Sequence, residues 1–129
     1  MRPWIADAEL RSSIPMLVYK ILRSEEWDAL QRDHATAGAP VDVADGFVHL
    51  STGSQVIETA QKHFGGAPDL QLLALQAGSL GPALRWEPSR GGDLFPHLYR
   101  ELRLADVIWN EPLPLVEGQH VFPPLQDCS

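Results

Sequence analysis

Apolar and polar positions change period several times along the chain, and each change predicts an element. Met16–Arg23 (MLVYKILR) is apolar and partly β-branched, the pattern of a strand. Ser24 is a good N-cap, and Glu25 and Glu26 follow in the first turn, where they suit the helix dipole. Trp27 and Leu30 share one face of that helix, which fades before Gly38 and Pro40. Gly46–Ser51 reads as a second strand. Thr52 or Ser54 caps a second helix that carries Val56, Ile57, Ala60 and Phe64 and stops at Gly65–Gly66. Asp69–Leu75 is short and nearly continuously apolar, as a central strand is. Ala83–Glu87 and Pro96–Leu102 read as strands joined by PSRGGDLF, and Ala105–Trp109 as one more. Strand, helix, strand, helix and then several strands predict an α+β fold with two main helices and a split, mostly antiparallel sheet, not a doubly wound parallel one.

The flanks lack this order. Residues 1–15 mix small, polar and charged side chains without a period and read as an N-terminal arm. Residues 16–112 form the single domain, and 113–129 a Pro-rich C-terminal tail packed on the surface. A chain of 129 residues is one domain's worth. Its apolar runs are too short for a membrane span. No signal peptide is read at the N-terminus, so the expected compartment is cytoplasmic. A single cysteine, Cys128, excludes a disulfide framework and a multi-cysteine zinc site, and no metal is assigned.

The net charge of −7 argues against nucleic acid as a general partner. Residues 65–100, however, hold three basic and three acidic side chains and are neutral. Arg85, Arg90, His97 and Arg100 lie in that stretch, the natural place in an acidic chain for an anionic ligand. Surface pairing with Glu87 and Asp93 is the plainer account of the same arginines.

Two segments carry candidate chemistry. In DGFVHLST (45–52), alternation puts Val48 and Leu50 on one face and Phe47, His49 and Ser51 on the other. A histidine beside the hydroxyls of Ser51 and Thr52, next to a helix N-terminus, suits an anion or a ribose. Helix capping by the two hydroxyls explains them equally well. In LRWEPSRGGDLFPHLYRELR (84–103), Arg85 and Glu87 share a strand face, and Gly91–Gly92 allow a ligand to approach the backbone. Phe95, His97 and Tyr99 return beside them. Arginine for phosphate, an aromatic ring for stacking and a carboxylate for a ribose hydroxyl describe a nucleotide site. A hairpin turn with an exposed ion pair competes with that reading. Lys20 stands out in an apolar strand on the face of Val18 and Leu22; it needs a partner or marks a sheet edge.

GFVHLST (46–52), LRWEPSRGG (84–92) and LFPHLY (94–99) resemble domain-of-unknown-function family 952, over roughly residues 17–112. The resemblance implies an ADP-ribosyltransferase-like fold around an NAD-type cleft, with NAD as a possible substrate and no certain cofactor. It implies catalytic roles for Glu87, which would stabilise an oxocarbenium-like transition state, and for His49 at the ribose. It implies ligand-binding roles for Ser51, Thr52, Arg85, Arg90, Gly91, Gly92, Phe95, His97 and Tyr99. Members often carry a Tyr-His pair on the first strand, where this chain has Tyr19-Lys20. Three functions are then in play: an enzyme acting on NAD or an ADP-ribose-like nucleotide, a non-catalytic nucleotide- or anion-binding module, and a phosphoesterase with two His-x-Ser/Thr motifs. The last ranks lowest, because His97-Leu98-Tyr99 lacks the hydroxyl-bearing Ser or Thr.

Overall fold

A computed structural model describes residues 16–125 apart from Arg90. The 1–15 arm, Arg90 and the segment holding Cys128 lie outside the described residues. In chain order the elements are β1 (Leu17–Leu22), α1 (Ser24–Asp33), β2 (Ala35–Thr36), α2 (Pro40–Asp45), β3 (Val48–His49), α3 (Val56–His63), β4 (Leu70–Gln76), α4 (Ala77–Leu80), β5 (Leu84–Pro88), β6 (Leu94–Leu98), β7 (Leu102–Arg103), β8 (Val107–Leu113), β9 (Leu115–Val116) and β10 (Gln119–His120). Among the described residues no helix is long and apolar enough to cross a membrane.

The strands form two principal sheets, of order β1-β4-β8 and β3-β6-β5, with every pair antiparallel. β2 and β7 make a small ladder, as do β9 and β10. Among the described residues one backbone bridge joins the two principal sheets. Tyr19 and Ser51 exchange backbone hydrogen bonds of 2.7 and 2.9 Å, so the chain leaving β3 crosses onto β1. The architecture is α+β with mostly antiparallel sheets.

Alternation in β1 and β4 builds two cores from two strands. Val18, Leu22, Leu73 and Leu75 face Leu30, Val48, Leu50, Leu98 and Leu102, which fill the space between the sheets. Leu17, Tyr19, Ile21, Leu70, Leu72 and Ala74 face the other way, onto Val56 and Ala60 of α3 and onto Leu113. Phe122 and Leu125 from beyond β10 pack on this second core. His120 Nε2 donates to the carbonyl of Ala67 at 2.7 Å.

Several elements depart from the sequence expectation. The stretch before Gly46, read as fading helix and loop, contains β2 and the short helix α2. The strand expected over Gly46–Ser51 keeps regular pairing only at Val48 and His49, because Leu50 and Ser51 turn away to bond Pro96 and Tyr19. The strand expected over Pro96–Leu102 starts earlier, at Leu94, and breaks after Leu98. The strand expected to end at Trp109 runs on to Leu113, past the domain limit read from sequence. Of the apolar residues read on α3, Ile57 is exposed, whereas Val56 and Ala60 are buried.

Candidate functional site

The sheet β3-β6-β5 turns one side to the first core and the other outward. Val48, Leu98 and Leu84 point inward; Phe47, His49, His97, Tyr99, Arg85 and Glu87 occupy the other side. Register sets a rank across the sheet, because His49 pairs with His97 and His97 with Arg85.

The rings meet at Phe47. His97 stacks on it with centroids 4.2 Å apart, His49 lies at 4.6 Å and Tyr99 at 5.1 Å. The two histidine rings are 5.5 Å apart, edge to face. The Arg85 guanidinium lies over the Tyr99 ring, 4.7 Å from its centroid.

Each histidine is tied through Nδ1 to a carboxylate. His97, buried, donates from Nδ1 to Glu87 Oε1 at 2.8 Å, and the Tyr99 hydroxyl donates to the same oxygen at 2.7 Å. These two bonds, His97 first, hold the Glu87 carboxyl below its ordinary pKa. The same contact pushes the Tyr99 hydroxyl up, so it remains a donor at neutral pH. His49, half-buried, donates from Nδ1 to Asp42 Oδ1 at 2.5 Å. Asp45 Oδ2 stands 3.0 Å from His49 Nε2 on the solvent side.

Asp42 and Lys20 are both buried. Lys20 Nζ donates to Asp42 Oδ2 at 2.8 Å and to the His49 carbonyl at 3.0 Å. Asp42 also accepts from the backbone N–H groups of Ala39 at 2.7 Å and His49 at 3.0 Å. Burial pushes the Asp42 carboxyl up, but the His49 hydrogen bond and the Lys20 ammonium outweigh it and bring its pKa down to about 2.

Of the residues singled out from sequence, His49, Arg85, Glu87, His97 and Tyr99 share this face, and Phe95 lies beside it, opposite Glu87. Ser51 is buried, with Oγ 3.2 Å from Thr59 Oγ1 of α3. Thr52 Oγ1 lies 3.1 Å from Ser54 Oγ, and its backbone carbonyl accepts the first bonds of the turn leading into α3. Gly91 and Gly92, with φ of 95° and 92°, form the β5–β6 turn, closed by a bond from Ser89 N to Asp93 O. Arg100 leaves the cluster: its guanidinium bonds both oxygens of Asp106, at 2.9 and 3.1 Å. Phe47 and Asp42 were not singled out from sequence. Phe47 shares the strand face of His49, which was a usable signal. Asp42 sits in PVDVAD with no periodic pattern to mark it.

Comparison with known proteins matches residues 21–110 to the family described as Protein of unknown function (DUF952). The chain belongs to that family. A crystal structure of protein CC0527 from Caulobacter crescentus is 49% identical and superposes with a TM-score of 0.78, covering 81% of this chain and 93% of that one. The solution NMR structure of the same protein is 49% identical, with a TM-score of 0.73, covering 81% and 90%. No curated protein matches the chain. The match includes the rank His49–His97–Arg85 and Asp42, and begins one residue after Lys20.

Proposed function

We propose that the outer face of β3-β6-β5 binds an ADP-ribose-type nucleotide, in an ADP-ribosyltransferase-like cleft, and that the protein acts on NAD or a close relative. The observation that carries this reading is the meeting of Phe47, His49, His97, Tyr99, Glu87 and Arg85 on one face. Aromatic rings offer a surface for a planar base, and the exposed Arg85 guanidinium suits a phosphate. Glu87 is ionised and fixed by two hydrogen bonds to one oxygen. A fixed carboxylate can stabilise positive charge that develops at the ribose C1. In hydrolysis the C1–nicotinamide bond breaks, the electron pair leaves on nicotinamide, and water adds to C1 and gives up a proton.

A second reading, binding without turnover, is favoured by one observation: Oε1 of Glu87 is already occupied by His97 and Tyr99. One set of measurements decides. Calorimetry should show ADP-ribose and NAD binding more tightly than adenosine, with the difference reduced by salt. Nicotinamide release from NAD should be slow in the parent and fall on the order of 100-fold or more in Glu87→Gln, with nucleotide affinity far less changed. Nucleotide binding with no turnover, equal in parent and Glu87→Gln, selects the module. No nucleotide heat, or equal affinity for adenosine, overturns both.

A further inference from the structure

Lys20 and Asp42 form a buried ion pair on a small domain, at a place where Val18 and Leu22 of the same strand face supply apolar packing. Removing two charges from water is costly, and a buried pair often gives less stability than apolar side chains of the same volume. Stability is therefore a weak reason for the pair. What it does geometrically is specific. Three polar groups of His49 are gripped by these two side chains alone: the backbone N–H and ring Nδ1 by Asp42 Oδ1, the backbone carbonyl by Lys20 Nζ. The remaining oxygen, Asp42 Oδ2, accepts from Lys20 and from Ala39 N–H. The surrounding backbone is shaped to this carboxylate. A Cβ added at Gly38 would fall 2.2 Å from Asp42 Oδ2 and 2.7 Å from its Cβ.

We infer that Asp42 and Lys20 are positioning residues for His49: they fix its ring with Nδ1 as the donor and turn its Nε2 edge outward, where a ligand meets it in place of, or beside, the exposed Asp45 carboxylate. A carboxylate only accepts, so the bond to Asp42 requires a proton on Nδ1, whatever Nε2 carries beside Asp45. Lys20 holds Asp42 ionised and prevents it from rotating away. The Nε2 edge is the one left at the surface, with the exposed Asp45 carboxylate beside it. The inference rests on the reading of this face as the ligand site, but its test does not require the ligand to be a nucleotide.

Long-range proton–nitrogen NMR spectra of the histidine rings record which nitrogen carries the proton. In the parent, His49 should show a protonated Nδ1. In Asp42→Asn the amide oxygen must accept from Lys20, which turns the amide N–H group toward the ring; His49 should then lose the Nδ1 proton and carry it on Nε2. Asp45→Asn, which leaves the grip on Nδ1 in place, should keep the Nδ1 proton whatever happens at Nε2. A purely structural pair would lower the thermal midpoint without moving the ring proton. A parent ring protonated on Nε2 alone, or one unchanged by Asp42→Asn, overturns the inference. The parent spectrum alone decides if Asp42→Asn does not fold. A correct ring state combined with no ADP-ribose heat would reject the nucleotide reading while leaving this one standing.

Discussion

Asp42 holds the His49 side of the site, bonding Lys20, Ala39 and His49, and its chemistry makes a prediction about acid. Its folded-state pKa of about 2 lies below the ordinary 3.8, so the ionised form favours the folded protein. That contribution is complete well above pH 3.8 and is lost as pH falls toward 2. Its size is about 2 kcal/mol. Denaturant unfolding of the parent, followed down to about pH 2, should show the loss. Asp42→Asn has no charge to lose and should fall less steeply across the same window; parallel curves would mean that Asp42 is not ionised in the folded state. Sequence reading reached this network from one side only. Lys20 was conspicuous as a charge in an apolar strand that needs a partner, but its partner lies 22 residues away in a segment without periodicity. His49, Arg85, Glu87, His97 and Tyr99 were legible because strand alternation and register place side chains at known intervals. Ser51 and Thr52 were legible as residues, but which way their hydroxyls point depends on the crossing from β3 to β1, a tertiary event.

At the scale of elements, α2 shows why one helix escaped notice. Its burial pattern is inverted: Asp42 is buried while Val41 and Val43 are 57% and 61% exposed. A reading by hydrophobic period looks for the opposite. The punctuation was nevertheless present, with Pro40 at the start and Gly46, φ 87°, at the end. Gly91 and Gly92 were read as a place for ligand approach, with a hairpin turn as the competing account; they form that turn, and their positive φ requires glycine there. Gly92→Ala meets open space, so only its positive φ opposes the change, and stability should fall by about 1–2 kcal/mol. Gly38→Ala adds a collision with Asp42 to the same strain and should cost distinctly more. Denaturant unfolding of the two variants compares them directly. Equal losses would mean that the Gly38 loop yields without disturbing Asp42.

At the scale of the whole molecule, the site sits on a sheet that the main sheet holds in place through the first core. Leu98 is fully buried there, on the inner face of β6, paired with Val48 of β3 and Leu84 of β5. Leu98→Ala should cost about 3 kcal/mol through lost burial and a residual cavity, and should loosen the Phe47–His97 stack with it. Near-native stability in that variant would mean that the small sheet does not depend on the core beneath it. The α+β class and antiparallel habit were legible because late strands outnumber helices. A split sheet was expected, but the place where its two parts join, at Tyr19 and Ser51, was not legible, since a single bridge leaves no periodic trace. On this proposal one outer face, built on β3-β6-β5, takes a nucleotide. A crystal structure of the protein grown with ADP-ribose should show the nucleotide on the Phe47–His97–Tyr99 face, with a phosphate at Arg85 and the His49 Nε2 edge in contact. A nucleotide bound elsewhere on the protein, with this face bare, would contradict it.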